Sequence, residues 1–360
     1  MNQQPILSVI ILNWNTCELT KQCLESIFDT WRHSEPRLYS SDGDRVPPIA
    51  LPALRHSFGE GEAVAQESRV LPPSVEDGLG SFGRRLRLSQ DDKLEVIVVD
   101  NASSDNSTAM IVKEFPQVKL ITNQTNLGFA KGNNVGINQA IGKYILLLNS
   151  DILVQSGALQ SMVAVAQSDR KIGAIGPRLL NQDGTDQWQF HREFPTLGQI
   201  VWVYTTVLGR LTPRIRWLRA KYLGQQNREQ SGATNLQLSG AALMVSANLL
   251  KKLGGLDENF YFWLEDVDLC WRVKKLGYQL YYNAQAKIIH LGGASSAMWS
   301  DFKRLYNFRV SMVKYFQKHL PRQARLVRLI FQLDALVMVP LSMFVRPKRV
   351  RVYIKFLREF

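Results

Sequence analysis

The chain has 360 residues, 45% of them hydrophobic and 21% charged, which is enough to bury a sizeable core in one large or two modest domains. Its 44 Lys and Arg against 31 Asp and Glu leave a formal net charge of +13, which suits nucleic acid, anionic lipid or a phosphorylated substrate without choosing among them. Three cysteines, at Cys17, Cys23 and Cys270, exclude a disulfide framework and a zinc-binding spacing. No basic segment with a long apolar run opens the chain, so we expect no signal peptide and a cytoplasmic location.

Three apolar runs predict strands that are buried on both faces, as in a parallel sheet. They are Ser8–Leu12, Leu94–Asp100 and Tyr144–Leu148. Helices are predicted from about Thr16, through Met110 and Phe115, from Asn126 to near Ala140, and near Gly157 to Gln167, with shorter strands at Val118–Thr122, Ile172–Ile175 and Leu236–Val245, the last interrupted by Gly240. This alternation predicts an α/β fold with a mostly parallel central sheet and helices on both faces.

Residues 34–92 differ in composition from the segments on either side. They hold six of the 14 prolines and little apolar periodicity. Such a composition cannot bury enough apolar surface to form a core. We expect residues 34–92 to form a mostly disordered loop that is inserted into one domain, made of residues 1–33 and 93–320. A C-terminal segment, 321–360, follows this domain.

A polar triplet, Asn149-Ser150-Asp151, follows the third buried run directly. Ligands in open α/β sheets lie beyond the carboxyl ends of the strands, where an Asp can hold a divalent cation that bridges phosphates. The alternative is a loop Asp that caps the next helix.

A second acidic cluster, Glu265, Asp266 and Asp268, opens a helix predicted from Leu264 to just before Gly277. Asp266 shares a row with Leu269, Cys270 and Val273, so we expect partial desolvation and a raised pKa, which suit a general base. Glu265 and Asp268 share a row with Arg272 and are interpreted as solvated or paired. The alternative is that all three acids only favour the helix N-terminus electrostatically.

Several motifs together resemble the inverting family-two glycosyltransferases of the GT-A fold, in the rhamnosyltransferase-like branch. The matching stretches are Ser8–Asn15, Val98–Ser107, Asn126–Gly136, Leu146–Asp151, Gly254–Gly277 and the run that ends at His290. The resemblance implies a nucleotide-sugar-binding, Rossmann-like fold and transfer of a sugar from a nucleotide-diphosphate sugar to a hydroxyl with inversion. Rhamnose is one candidate for the sugar, which the residues do not fix. The acceptor is expected to be lipid-linked or a polysaccharide, in cell-surface polysaccharide synthesis.

The same resemblance implies roles for individual residues. The donor pocket is lined by Asn13, Asn15, Asp100, Asn126, Gly128, Asn134 and Ser150. Asp151, at the place of the family's DxD motif, binds Mg²⁺ or Mn²⁺ with help from His290. Glu265 and Asp266 match the catalytic Glu-Asp pair, of which the Asp is the base. Two departures are Asn149 in place of the motif's first Asp and the long insert.

Two segments combine apolar and basic residues. Ile200–Leu223 is interpreted either as a membrane-surface or acceptor-side segment or as a packed helical excursion. Leu329–Val345 is marginal for a membrane span, and the basic end of the chain, from Arg346 to Arg358, predicts an interfacial amphipathic segment on anionic lipid. The alternative for this end is helical packing on the catalytic domain. We expect a peripheral enzyme at the inner face of the cell membrane.

Two rival functions remain on sequence grounds. A processive polysaccharide synthase is disfavoured because no Gln-x-x-Arg-Trp follows Asp266. A non-catalytic nucleotide-sugar or nucleic-acid binding protein has only the basic charge in its support. The basic residues do not lie on an aromatic strand platform, so we expect no nucleic-acid partner.

Overall fold

The computed structural model describes residues 4–32, 94–187, 192–206, 208–223, 229–292, 301–345 and 350–359. Its strands are β1 (Leu7–Asn13), β2 (Leu94–Asp100), β3 (Lys119–Thr122), β4 (Tyr144–Asn149), β5 (Ile152–Val154), β6 (Ile172–Leu180), β7 (Gly232–Thr234), β8 (Ala242–Ser246) and β9 (Gln279–His290). Its helices are α1 (Cys17–Arg32), α2 (Ser107–Glu114), α3 (Phe129–Ile137), α4 (Ala158–Ser168), α5 (Leu197–Gln199), α6 (Leu208–Leu211), α7 (Arg216–Leu223), α8 (Ala247–Leu253), α9 (Glu265–Lys275), α10 (Asp301–His319), α11 (Pro321–Val345) and α12 (Val350–Glu359). The predicted insert at 34–92 lies outside the described residues and stays a prediction.

The nine strands form one sheet in the order β3-β2-β1-β4-β8-β6-β9-β5, and β7 pairs with β9. The longest ladders, β1 with β2 and β6 with β9, are parallel, as is β1 with β4. Antiparallel pairs join β8 to β4 and β6, and β9 to β5 and β7. The predicted α/β class with a mostly parallel sheet is confirmed.

Helices cover both faces of this sheet. Because successive strand residues face opposite sides, β1 places Val9 and Ile11 in one core and Ile10 in another. The first core packs α1, α2 and α4 against the sheet, and the second packs α3, α8 and α9. The three apolar runs are therefore central strands with both faces covered.

The strand register brings the polar ends of the strands together. Asn13 pairs with Asp100, and Leu12 pairs with Asn149. On the other side of the sheet, Ile152 pairs with His290, so that the end of β9 lies beside the residue before β5. These polar groups lie at the carboxyl edge of the parallel strands, which is where ligands bind in open α/β sheets.

One strand prediction is wrong in its first half. Residues 236–241 form a loop, and β8 begins only at Ala242. The loop uses its backbone elsewhere: the Gln237 N–H donates to the Arg192 carbonyl at 2.8 Å, and the Gly240 N–H donates to Asp266. The apolar run thus predicted strand pairing over residues whose backbone instead makes hydrogen bonds to distant segments.

The C-terminal helices pack on the rest of the fold through a third core. It contains Phe260 and Leu264, next to α9, together with Phe316, Phe331 and Phe356 from α10, α11 and α12. Ile200 joins this core as well, so the start of the 200–223 segment matches the packed alternative.

The last helix also differs from the interfacial segment predicted for it. In α12, Val352, Tyr353 and Phe356 are buried, and Arg351, Lys355 and Arg358 are exposed. This is the packed alternative, because the apolar side of α12 faces protein. Among the described helices, only α11 is long and apolar enough to cross a membrane by length and composition.

Candidate active site

A cavity of about 330 Å³ lies at the carboxyl edge of the sheet. Its polar lining comprises Asn101, Asn126, Asn149, Ser150, Asp151, Arg192, Gln237, Ser239, Glu265, Asp266 and His290. Its aromatic lining comprises Trp14, Phe129, Tyr204, Phe262, Trp263 and Phe308. Convergent polar groups on an aromatic wall are the usual composition of a small-molecule site.

The predicted site residues divide into two groups. Asn126, Gly128, Ser150, Asp151, Glu265, Asp266 and His290 line this cavity. Asn13, Asn15, Asp100 and Asn134 do not line it.

Asn13 and Asp100 lie in a buried polar network beneath the cavity. Asn13 Nδ2 donates to Asp100 Oδ1 at 2.7 Å, and Asn13 Oδ1 accepts from Thr16 Oγ1 at 2.6 Å. Thr16 Oγ1 lies 2.9 Å from Ser150 Oγ, so the chain of hydrogen bonds ends on a cavity residue. The network fixes the ends of β1, β2 and β4 relative to one another.

Asn15 shapes the turn after β1. Its φ is +52°, and its Oδ1 accepts from the Ser104 N–H at 2.6 Å. Its own N–H donates to Ser103 Oγ at 2.9 Å. Asn tolerates this left-handed conformation better than most residues, and these contacts tie the β1 and β2 loops together.

The wall on the α3 side is built by Asn126 and Gly128. Asn126 Oδ1 accepts from the Gly128 N–H at 2.9 Å. Gly128 has φ +81°, and a Cβ there would lie 2.7 Å from the Tyr261 carbonyl oxygen. Only glycine satisfies both the conformation and the close approach, which explains the residue type at this position.

Asn134 faces a different part of the molecule. Its Nδ2 donates to the Leu256 carbonyl at 2.8 Å and to Glu258 Oε1 at 3.1 Å, and its Oδ1 accepts from the Leu256 N–H at 2.9 Å. These bonds use the side chain to hold the loop after α8. Asn134 therefore stabilises this loop and does not line the cavity.

Asp151 and His290 meet across the cavity floor. Asp151 Oδ1 lies 3.4 Å from His290 Nε2, and both side chains are buried. His290 Nδ1 lies 2.9 Å from Gln187 Oε1, whose amide also donates to the His290 carbonyl. Because an amide oxygen only accepts, Nδ1 is the donor and Nε2 is the nitrogen that faces Asp151.

This pair fits a divalent cation that substrate oxygens help to hold. A carboxylate oxygen and an oriented imidazole nitrogen are ordinary ligands, and the Gln187 contact is the kind that orients a ligating His. Within the described ranges, no group of three or more His, Cys, Asp or Glu is arranged to hold a metal. Two protein ligands suit an ion that also binds phosphates.

The turn before α9 aims two carboxyls at the cavity. Trp263 and Leu264 both have left-handed backbones, with φ of +68° and +70°. Neither is glycine, so the turn stores strain of order 1–3 kcal/mol per residue. Strain of this kind persists where the surroundings enforce it, and here it directs Glu265 and Asp266 inward.

Both oxygens of Asp266 are held by backbone donors. Oδ2 accepts from the Gly240 N–H at 2.7 Å, and Oδ1 accepts from the Val267 N–H at 2.8 Å. Burial raises the pKa of Asp266, although these backbone donors oppose the change. The predicted partial desolvation of this carboxyl is therefore present.

Glu265 is more deeply buried than the sequence pattern suggested. Its residue is 5% exposed, and its Oε2 has no hydrogen-bond partner among the described residues. Burial, followed by the charge of Asp266, raises the pKa of Glu265 well above its usual range. The expectation that it is solvated or paired is wrong, because Glu265 is buried in the cavity lining and Arg272 pairs with Asp268 instead.

Asp268 is paired, as expected. Its Oδ2 accepts from Arg272 Nε at 2.7 Å, and its Oδ1 accepts from His319 Nε2 at 2.7 Å and from Lys318 at 2.6 Å. Burial alone would raise the pKa of Asp268, but the His319 and Lys318 hydrogen bonds lower it. Asp268 does not line the cavity and joins α9 to α10.

Sequence reasoning missed several lining residues. Arg192 adds a cation to the cavity, and Tyr204 and Phe308, whose ring centroids are 5.1 Å apart, close one side. Phe308 belongs to α10, so the C-terminal helices contribute to the site. A single Arg in a loop, or one aromatic residue in a helix, gives no periodic signal for a site, and only the fold brings these residues here.

Comparison with known proteins finds similarity to one enzyme family. The sequence model of the Glycosyl transferase family 2 matches residues 79–248. The chain is 28% identical over 223 residues to the N-acetylglucosaminyl-diphospho-decaprenol L-rhamnosyltransferase of Mycobacterium tuberculosis strain H37Rv, covering 59% of this chain and 71% of that protein. These two matches support a family-2 glycosyltransferase of the rhamnosyltransferase-like type. The predicted resemblance to the rhamnosyltransferase-like branch is confirmed.

Other similarities of this glycosyltransferase are more partial. It is 26% identical over 219 residues to the poly-beta-1,6-N-acetyl-D-glucosamine synthase of Staphylococcus epidermidis, covering 59% of this chain and 45% of the synthase. A solved mannosyltransferase from Pyrobaculum calidifontis, in complex with GDP-Man and Mn²⁺, aligns at a TM-score of 0.49 and 13% identity over 99% of this chain and 75% of that one. The family match ends at residue 248, so the roles of Glu265, Asp266 and His290 rest on geometry.

Proposed function

We propose that this glycosyltransferase moves rhamnose from a nucleotide-diphosphate sugar to a hydroxyl of a lipid-linked glycan acceptor, with inversion, in cell-surface polysaccharide synthesis. The similarity to the decaprenol-linked rhamnosyltransferase supports the choice of sugar and acceptor. The proposal places the enzyme at the anionic inner face of the cell membrane and includes no nucleic-acid partner.

One observation carries the proposal: Asp151 and Asp266 line the same cavity although they are more than a hundred residues apart in sequence. Asp151 lies at the end of the parallel strands, where the donor's diphosphate is expected. Asp266 opens a helix on the other side, where an acceptor hydroxyl can approach. This is the arrangement that a single displacement at the anomeric carbon requires.

In the proposed step, Asp266 takes the proton of the acceptor hydroxyl. The hydroxyl oxygen forms a bond to the anomeric carbon as the bond from that carbon to the diphosphate oxygen breaks. The nucleoside diphosphate leaves with the electron pair. The Gly240 and Val267 backbone donors hold the Asp266 carboxylate in one orientation during this exchange.

Glu265 is proposed to remain neutral beside the charged Asp266. Its burial and the lack of a described partner for Oε2 support this assignment. Where the surroundings of two adjacent carboxyls keep one proton on the pair, one carboxyl can act as a base and the other as a hydrogen-bond donor. The neutral Glu265 carboxyl then donates to a substrate oxygen and orients it for attack.

Mg²⁺ or Mn²⁺ is proposed to be held by Asp151 and His290 together with the donor's phosphates. When bound, such a cation stabilises negative charge that develops on the leaving diphosphate. Ser150, tied to Thr16, fixes the strand end that carries Asp151. Asn13, Asn15 and Asp100 are proposed to act beneath the pocket through the same network, and Asn134 through the loop that it braces.

A donor panel tests the proposal. Purified enzyme with a synthetic polyprenyl-diphosphate glycan acceptor should release nucleoside diphosphate from one deoxyhexose donor far faster than from the other nucleotide sugars. Release should depend on the acceptor, and the product should carry the inverted linkage. Equal release with and without acceptor, or no release from any donor, would contradict the proposed function.

A further inference from the structure

The outer face of α11 is an unusual surface for a water-exposed helix. Seven of the large hydrophobic residues that are exposed in the described structure lie on this one helix: Leu326, Leu329, Leu333, Leu336, Val337, Leu341 and Met343. Each is between 47% and 60% exposed. Contiguous apolar patches of this kind mark membrane or protein contact sites.

The exposed positions recur at helical spacing and form one stripe. From Leu329 to Met343, every residue that is classed as exposed is apolar. The stripe extends along most of a helix of 25 residues, which is about 37 Å long at 1.5 Å per residue. Between Leu329 and Met343, no exposed polar residue interrupts the stripe.

The opposite face of α11 is already occupied by protein. Phe331 and Ala335 are fully buried against α10 and α12, and Asp334 forms a buried ion pair with Arg309. Crossing a bilayer would require this face to separate and expose the ion pair to hydrocarbon, which is costly. Only the outer face is available to lipid, so α11 can lie in the interface with its axis along the membrane.

Charge on the surrounding surface selects lipid as the occupant. Arg322, Arg325 and Arg328 are exposed in the first two turns of α11, and Arg351 and Lys355 are exposed on the adjoining α12. The only acid in α11 is the buried Asp334. An apolar stripe with cations along its border complements anionic headgroups above an acyl layer.

We propose that the exposed face of α11, defined by the seven apolar residues and the bordering arginines, docks the enzyme on an anionic membrane as an interfacial helix. The inference rests on the membrane location in the proposed function but does not depend on the sugar or the reaction. It assigns lipid contact to α11 and a flanking electrostatic role to α12. Because Phe308 of the neighbouring α10 lines the cavity, docking would bring the site close to lipid-linked acceptors.

Vesicle flotation with the full chain tests this inference without donor or acceptor. Wild type should float with phosphatidylcholine vesicles that contain phosphatidylglycerol. The double variant Leu333→Gln/Leu336→Gln should lose at least about tenfold in apparent affinity. A matched control, Val112→Gln/Leu276→Gln, makes the same change at exposed apolar positions elsewhere and should float like wild type. Unfolding temperatures close to wild type would show that the variants fold.

The charge contribution has its own comparison. Arg322→Gln/Arg325→Gln should weaken binding to anionic vesicles and leave the weak binding to neutral vesicles unchanged. The control Arg170→Gln/Lys171→Gln removes two exposed cations from a turn outside α11 and should have no effect. Alkaline carbonate should release bound wild type, as expected of an interfacial helix.

Three results would overturn the inference: flotation of the leucine variant as strong as that of wild type, retention of wild type after carbonate treatment, or a lipid-free dimer that the leucine variant alone disrupts while vesicle binding persists. The last result would assign the face to a second copy of the chain. Donor turnover with a detergent-solubilised acceptor, measured in parallel, reports on the proposed reaction separately.

Discussion

The buried ion pair between Arg309 of α10 and Asp334 of α11 should hold the C-terminal helices on the rest of the fold. Both side chains are at most 4% exposed. Asp334 also accepts from the Thr206 N–H at 2.8 Å and from Thr206 Oγ1 at 2.9 Å. The Arg309 guanidinium lies over the Phe331 and Tyr353 rings at 5.1 and 5.3 Å. The pair therefore connects all three C-terminal helices to the segment that carries Tyr204.

Replacing one partner leaves the other charge buried without compensation. Asp334→Leu should lower the free energy of unfolding by about 3–5 kcal/mol, and Arg309→Met by a similar amount. A folded unit of roughly 300 residues has an entropy of unfolding of about 0.6 kcal/mol/K, so Tm should fall by about 5–8 °C. The double variant should be more stable than either single variant, because neither charge is then buried alone.

Urea and thermal unfolding of the two single variants and the double variant give the coupling energy directly. A matched control is the pair between Lys21 of α1 and Glu114 of α2, 2.7 Å apart and about one-third exposed on both sides. The corresponding Lys21→Met and Glu114→Leu cycle should give a coupling below about 1 kcal/mol. Additive effects at Arg309 and Asp334 would refute the reasoning and imply that the helices pack independently of this pair.

Three further outcomes follow from the site. Asp268→Asn should destabilise the folded protein most near pH 7. The folded pKa of Asp268 is lowered, so the stability that its carboxylate contributes is complete above the unfolded pKa of about 4 and is lost as pH falls through the folded pKa. A difference in urea midpoint between wild type and variant that stays unchanged at pH 3 and below would contradict this. Asp151→Ala should weaken Mn²⁺-dependent binding of nucleoside diphosphate in calorimetry, and His290→Ala should do so more mildly; equal wild-type affinity with chelator and with metal would remove the cation from the site. Gly240→Ala adds a Cβ 3.0 Å from Asp266 Cβ and should lower kcat by about tenfold, because it displaces the carboxylate. The KM for the donor should stay unchanged, and a wild-type kcat would contradict this prediction.

The central sheet could be predicted from the sequence because its strands are buried on both faces. Continuous apolar runs such as Leu94–Asp100 have no competing helical pattern, and that strand has the predicted bounds. Asp266 could be predicted for a related reason, since its row on α9 is apolar. Local sequence patterns suffice to predict a residue's environment where that environment is formed by its neighbours in sequence.

The remaining features depend on contacts between distant segments. Gln187 orients His290 across a separation of 103 residues, and no local pattern marks it. The alternation of basic and apolar residues in α12 fits a membrane interface as well as a packed helix, and only the positions of α10 and α11 decide between them. The sequence pattern predicts that Glu265 is a surface acid, and only the left-handed turn at Trp263 and Leu264 in the structure shows that it points inward.

The central claim is that Asp266 is the base in an acceptor-dependent transfer, and its amide variant tests this claim most directly. Asp266→Asn keeps the side-chain size but places an NH₂ against one of the two backbone donors, Gly240 or Val267. The stability cost should be about 1–3 kcal/mol, so rates should be measured well below the unfolding temperature. Asp268→Asn, two residues further along α9 and outside the cavity, is the matched control and should retain wild-type kcat there.

The decisive measurement is single-turnover transfer from a saturating nucleotide-sugar donor, with donor affinity determined separately by calorimetry. Asp266→Asn should lower the transfer rate by about 10²–10⁴-fold and leave the donor Kd within about twofold. In wild type, the acid limb of the rate profile should lie above the ordinary Asp pKa of about 3.9, because burial raises the pKa of this group. Transfer by Asp266→Asn within a few-fold of wild type would contradict the account.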